Sequence, residues 1–494
     1  MSNNDIINIF LNPKSVAVIG ASKNPLKGGN WILNNLTLNN FKGKIYPINP
    51  NSEGKIYGLD IKKSVLDIDE EVDLAIFYVG NTIIPAILEE CIEKGIKGAL
   101  IESSGFEEVG DEGLELRDQI LKITDNFKKI RIVGPNCMGI TRFDKDSDSE
   151  EKGGFFSGFG VFNNYKRGNI AIISQSGALN GGYLTHIMTK YPDIGFRYSC
   201  TVGNKTDLSE IEFLEYFLDD STVNVIAIYL ESFKDPRKFI ELCRRAKNIP
   251  KKTIILLKGG ITEQGSKATL SHTGALAEDS QLTEAIIKQC GVIRAHSFYE
   301  LFQFARTFSM MYNTGKELPQ KGNVAIIVGS GGAGTVLADL LMQHGLNLPL
   351  FGDKAYKALE EIFPSWMPPN RFSLIDIWPA MEKAQKNNIN RAVLLESVYD
   401  AILGEPEIEG LFNMLFCSKR FREVWNVDKM IEIANQISKP IFFWLIGEAE
   451  EVKYVSELLS NNNIPSFSNL EEMVKNYHII VQESRNKNQN YSNL

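Results

Sequence analysis

Three evenly spaced segments constrain the fold of this chain more than any other feature. Val16-Ala17-Val18-Ile19-Gly20-Ala21-Ser22, Ile170-Ala171-Ile172-Ile173-Ser174-Gln175-Ser176-Gly177 and Val324-Ala325-Ile326-Ile327-Val328-Gly329-Ser330-Gly331-Gly332 each pass from an apolar run through a Gly/Ser turn into a helical pattern. They begin at residues 16, 170 and 324, two equal intervals. Continuous apolar runs suit strands buried on both faces of a parallel sheet. The spacing predicts an α/β chain of three Rossmann- or flavodoxin-like, doubly wound domains with mainly parallel sheets. The expected segments are 1–142, a linker over 143–167, then 168–318, 319–482 and a flexible tail over 483–494. Further strands are expected in Lys44-Ile45-Tyr46-Pro47-Ile48-Asn49-Pro50, Leu74-Ala75-Ile76-Phe77-Tyr78-Val79, Gly98-Ala99-Leu100-Ile101-Glu102 and Arg131-Ile132-Val133-Gly134-Pro135, with helices over 82–94 and 114–124. Ligands of such sheets gather at the carboxyl ends of the strands.

Composition narrows the function classes. A chain of 494 residues has room for three domains, and 43% hydrophobic against 23% charged residues is ordinary globular material. A net charge of −8 lacks the basic stripe of a nucleic-acid binder. The six cysteines lie far apart without a C-x-x-C, which argues against a disulfide framework or a zinc cage. The five histidines form no i, i+4 pair, so no metal site is expected. No run reaches the ~18 apolar residues of a membrane span, and residues 1–5 lack a basic, apolar leader. A cytoplasmic protein with no membrane or nucleic-acid partner is expected.

The first turn, Gly20-Ala21-Ser22-Lys23-Asn24-Pro25, departs from G-x-G-x-x-G. The second strand ends in Asn49-Pro50-Asn51, where a ribose-binding carboxylate would stand at an NAD site. NAD is therefore disfavoured. Another phosphorylated nucleotide suits the amides of Gly20, Ala21 and Ser22, with Lys27-Gly28-Gly29 around it; a ligand-free turn is the plain alternative. Ser174-Gln175-Ser176-Gly177 also follows a strand and opens a helix, which suits a phosphoryl group at the positive end of the helix dipole.

His272 stands in Leu270-Ser271-His272-Thr273-Gly274-Ala275-Leu276-Ala277, small residues that predict an accessible turn ahead of a helix over 278–289. An imidazole there can serve as a nucleophile or phosphate carrier. Local spacing alone fits an ordinary loop histidine better. Glu231 closes the strand Val225-Ile226-Ala227-Ile228-Tyr229-Leu230 and reaches the same rim, where a carboxylate can hold one imidazole nitrogen. Capping a helix is its other reading. Taken together, nucleophile, carboxylate and anion cradle make a coherent phosphohistidine site.

These residues, in this order, resemble the alpha subunit of the ADP-forming acyl-CoA synthetases of acetate–CoA ligase type, relatives of succinyl-CoA synthetase. The likeness also rests on Ser103-Ser104-Gly105-Phe106, Gly134-Pro135-Asn136-Cys137-Met138-Gly139 and the segment 258–277. The resemblance implies coenzyme A on the first domain, held by Gly20, Ala21, Ser22, Lys27, Asn49, Pro50, Ser103, Ser104, Gly105, Asn136 and Cys137. It implies that His272 becomes phosphorylated with Glu231 in support, and that Ser174, Gln175, Ser176 and Gly177 receive the phosphate. Cys137 would lie near the thioester without acting as a nucleophile. The chain departs from the family in three places. Asn51 replaces a common Lys, leaving Lys27 or Lys55 for the 3′-phosphate of CoA. Tyr78-Val79-Gly80 replaces a small Pro-Ala type turn, and Arg371-Phe372-Ser373 interrupts an Asn-Pro-Val-Asp pattern.

No G-x-x-x-x-G-K-[ST] occurs, so a Walker-type ATP site is absent from the sequence. The resemblance implies that an ATP-grasp beta subunit binds ATP, ADP and Mg, in a complex of two alpha and two beta chains. The implied reaction is acyl-CoA + ADP + phosphate ⇌ carboxylic acid + CoA + ATP, with the acyl group of the small acid not legible. A catalytically silent CoA-binding regulator is the competing class; intact His272 and Glu231 argue against it.

Overall fold

The computed structural model describes residues 2–149, 153–158, 160, 164–273 and 280–488, with the side chains of 270–273, 423 and 424 outside that description. The chain divides into two compact units, Met1–Ala305 and Arg306–Leu494. Two of the three repeated segments thus share the first unit.

The first sheet uses β1 (Ser15–Ile19), β2 (Lys44–Ile48), the hairpin β3 (Lys55–Ile56) and β4 (Leu59–Asp60) beside it, then β5 (Leu74–Phe77), β6 (Gly98–Ile101) and β7 (Arg131–Val133). Its order is β2-β1-β5-β6-β7, parallel throughout. Every residue of β1, β5 and β6 is buried, as expected of strands covered on both faces. The order reverses between β1 and β5, and the crevice outside that reversal is where such sheets bind ligands.

The second sheet begins with β8 (Ile140–Phe143) and β9 (Gly154–Phe156) and continues with β10 (Lys166–Ser174), β11 (Gly195–Thr201), β12 (Val225–Leu230), β13 (Thr253–Lys258) and β14 (Ile293–Ala295). The order is β14-β13-β12-β10-β11-β8-β9, with only β8 and β9 antiparallel to their neighbours. The stretch 143–167, expected as a linker, therefore supplies a strand to this sheet. Phe155 and Phe156 carry it inward: Phe155 tilts against Phe41 at 5.4 Å between ring centroids, and Phe156 meets Phe143 edge-on at 5.4 Å.

One apolar core joins both sheets of this unit, running from Val16, Leu33 and Leu36 through Phe155 to Ile173 and Ile228. Polar seams reinforce it. Arg131 pairs with Asp207 through two hydrogen bonds of 2.9 and 2.7 Å, and the same carboxylate accepts from the Ile132 amide at 2.8 Å.

The second unit has its own core around Ala325, Ile327, Leu411 and Phe443. Its sheet uses β15 (Val324–Val328), β16 (Leu374–Asp376), β17 (Gly410–Cys417), β18 (Ile441–Gly447) and β19 (Ser466–Phe467), in the order β16-β15-β17-β18-β19, all parallel. The tail expected to be flexible from 483 is helical to Asn488, within Leu470–Asn488. Buried Glu483 and Ser484 explain this, as do two hydrogen bonds from Arg485 to the carbonyls of Gln320 and Lys321 at 2.9 and 2.8 Å.

Candidate functional site

A cleft of about 1130 Å³ opens at the carboxyl ends of β1, β5 and β6 and also reaches the turn after β10. Two of the three repeated turns thus face one space. The first is shaped by crowding. Gly20 has φ +92°, and a Cβ there would stand 2.2 Å from the Tyr78 carbonyl oxygen. A Cβ on Gly29 would meet the Gly20 oxygen at 2.1 Å, so these glycines bring the helix Gly28–Leu38 against the turn. The amides of Gly20 and Ala21 both donate to the Ile48 carbonyl at 3.1 and 3.2 Å. They are therefore spent on the sheet rather than aimed at an anion, contrary to expectation. The helix Gly28–Leu38 starts at the N-cap Lys27 without a side-chain cap, a geometry whose amides can receive an anion.

Asn49 donates to the Ala21 carbonyl at 2.6 Å and accepts from the Asn51 amide at 2.9 Å, tying the second strand end to the first turn. Gly20, Ser22, Lys27, Asn49, Pro50, Ser103, Ser104, Asn136 and Cys137 all line the cleft. The Ala21 side chain is in the core instead. Gly105, with φ +98°, sits behind the lining and receives Asn81 at 2.5 Å. Lys55 faces Asp60 at 3.7 Å, whereas Lys63, not anticipated, is among the cleft's lining residues and pairs with Glu53 at 3.0 Å. Ser103 binds both the amide and the carbonyl of Val79, at 3.1 and 2.7 Å, and so holds the β5 and β6 loops together. Burial pushes the Cys137 thiol up to about 12, with Glu102 adding to the effect, which leaves it a poor nucleophile.

The turn after β10 divides its labour. Ser174 is fully buried, and its hydroxyl donates to the Ser176 carbonyl at 2.7 Å while accepting from the Ser176 amide at 3.1 Å. It shapes the turn, and Gln175, Ser176 and Gly177 line the cleft. A π turn, Leu179–Tyr183, follows before the helix Leu184–Lys190. Gln175 also reaches across to the end of β12. Its Oε1 accepts from the amides of Glu231 and Ser232 at 2.8 and 3.1 Å. The expected carboxylate and the expected phosphate turn are thus joined by one side chain.

Glu231 is 8% exposed. Its Oε1 accepts from the Tyr229 hydroxyl at 3.1 Å, and its carbonyl accepts from the buried Lys258 ammonium at 2.7 Å. The chain then turns at Gly260 (φ +72°), whose Cβ position lies 2.8 Å from Thr269 Oγ1 and 3.8 Å from the Glu231 carbonyl oxygen. Thr269 belongs to the helix Glu263–Thr273. The backbone of His272 is therefore in the last turn of a helix that starts beside Glu231, rather than in an open turn. Thr262 accepting from the Gly265 amide (3.1 Å) and the Glu263–Lys267 pair (2.7 Å) favour that helix. The His272 side chain and residues 274–279 lie outside the described residues.

Among the described residues no group of three or more His, Cys, Asp or Glu is arranged to hold a metal, and no helix is long and apolar enough to cross a membrane. A doubly wound sheet whose switch point opens onto a second sheet's helix-opening turn defines a nucleotide- and anion-binding α/β protein. Family models agree in detail: a CoA binding domain matches residues 14–142, and a succinyl-CoA ligase like flavodoxin domain matches 167–308. The acetate–CoA ligase [ADP-forming] II of Archaeoglobus fulgidus is 34% identical over 94% of this chain and 65% of its own length. The alpha subunit of acetate–CoA ligase [ADP-forming] II of Pyrococcus furiosus is 32% identical over 97% of this chain and 98% of its own. The solved Ca. Korarchaeum cryptofilum dinucleotide-forming acetyl-coenzyme A synthetase 1, in complex with phosphate and ADP, superposes with a TM-score of 0.82 at 28% identity, covering 98% of both chains. The chain belongs to the ADP-forming acetate–CoA ligase family. It spans less than two thirds of the A. fulgidus relative and about half of several other curated relatives.

Proposed function

We propose that this chain is the CoA-handling, phosphohistidine-bearing part of an acyl-CoA synthetase that interconverts acyl-CoA + ADP + phosphate with carboxylic acid + CoA + ATP. The observation that carries the reading is the single cleft lined by Lys27, Asn49 and Asn136 at one set of strand ends and by Gln175, Ser176 and Gly177 at another. Coenzyme A suits the first set, since it brings phosphates and lacks the nicotinamide ribose that a carboxylate after β2 would grip.

Inorganic phosphate at the Ser176-Gly177 turn attacks the thioester carbonyl carbon. The C–S bond breaks and CoA departs, leaving an acyl phosphate. An imidazole nitrogen of His272 then attacks phosphorus, the P–O bond to the acyl group breaks, and the carboxylate leaves with the electron pair. Gln175 positions Glu231 through two amide hydrogen bonds, and the Glu231 carboxylate orients and charge-balances the imidazole. The phosphoryl group finally passes to ADP, which an ATP-grasp beta subunit supplies together with Mg in a complex of two alpha and two beta chains. Residues 1–142 hold CoA in this scheme, the rest of the first unit, to Ala305 rather than 318, carries the histidine, and the second unit from Arg306 forms a third α/β domain.

Incubation with gamma-labelled ATP and a beta subunit is expected to label this chain, and His272→Asn to abolish the label. Glu231→Gln should slow labelling by about a hundredfold to a thousandfold, the size of effect seen when one preorganised stabilising group is removed. A wild-type chain that takes up no label overturns the phosphohistidine assignment.

A further inference from the structure

Glu102 immediately follows β6, its amide donating to the Phe77 carbonyl at 3.1 Å, and its side chain lines the cleft at 5% exposure. Neither carboxyl oxygen has a hydrogen-bond partner among the described residues. Burial pushes the titration of this carboxyl upward from its ordinary range. A buried polar group left unmatched is destabilising, and a complementary ligand group relieves that cost.

The position of Glu102 identifies what it meets. Its Oε1 lies 2.7 Å from the Cβ position of Gly139, and Met138 packs onto the phosphoryl turn, with its Cγ 2.7 Å from the Cβ position of Gly177. Glu102 therefore stands at the Gly177 end of the cleft, where the acyl group lies if phosphate occupies that turn. Resting on the function proposed above, we infer that Glu102 is a specificity-determining residue of the acyl pocket, which takes acyl groups bearing a hydroxyl in preference to unsubstituted alkyl groups. A hydroxyl can both donate and accept and so pairs with a carboxyl oxygen in either protonation state. Sites built to hydrogen-bond a substrate hydroxyl reject the analogue lacking it far more strongly than apolar pockets reject an added methylene.

Equilibrium titration of the full chain with butyryl-CoA and with its monohydroxy derivatives tests this without any partner or turnover. At least one hydroxy thioester is expected to bind about tenfold tighter than butyryl-CoA. E102L should remove that preference, with a melting temperature no lower than wild type, and E102Q should retain part of it. E102M stands in for E102L if the latter does not fold. Equal binding of all thioesters by the wild type overturns the inference. So does an E102L that weakens every thioester and free CoA alike, because the carboxyl would then serve the amides of the pantetheine arm. Failure to bind any CoA thioester instead removes the functional reading beneath it.

Discussion

Ser174-Gln175-Ser176-Gly177 after β10 and Gly329-Ser330-Gly331-Gly332 after β15 hold the same place in their sheets, and both open helices. Around the first, Gly177 faces Met138, the Ser174 hydroxyl is engaged with Ser176, and Gln175 grips the chain after β12. Around the second, Ser330 merely caps the helix Gly331–Gln343, and an added Cβ at Gly331 or Gly332 would meet nothing within 4 Å. The strand beside β10 delivers a buried carboxylate in Glu231, whereas β17 beside β15 ends in Cys417, followed by Ser418. A repeated strand–turn–helix pattern therefore announces a fold. Chemistry depends on what the adjacent strand brings to the same rim.

That contrast can be broken by substitution. Gly20→Ala should have the largest effect, since it combines a left-handed backbone with a 2.2 Å approach to a carbonyl oxygen. A stability loss of ~3 kcal/mol or more in chemical denaturation is expected, with CoA affinity lost in titration. Gln175→Leu removes the acceptor for two backbone amides. It should cost about 2–4 kcal/mol and slow phosphohistidine labelling more than it weakens CoA binding. Gly332→Ala should be the mildest, neutral or stabilising by up to ~1 kcal/mol because alanine favours a helix. If its melting temperature fell as far as that of Gly20→Ala, the third turn would be as constrained as the first and the comparison would fail.

The strands were legible because Val, Ile and Leu runs buried on both faces carry their own signature, and Glu231 was legible as a charge closing such a run. The same signal marks Glu102 at the end of Gly98-Ala99-Leu100-Ile101, where it was passed over as part of the strand. Other features depend on register between segments far apart in the chain. Nothing local distinguishes Ser174, whose hydroxyl is spent on Ser176, from Ser176, which lines the cleft. The Gly20 and Ala21 amides pair with Ile48 only because β2 lies beside β1. Strand β9 was hidden by the acidic composition just before it, although its two phenylalanines mark an inward-facing segment.

Strand β8 lies at the close of the residues matched by the CoA binding model, yet it hydrogen-bonds to β11 in the other sheet. Excising either half by its homology boundary would leave a ragged, sticky edge where a neighbour had been. The two halves are therefore expected to melt cooperatively as one body, and a useful dissection of the protein would keep them on a single fragment.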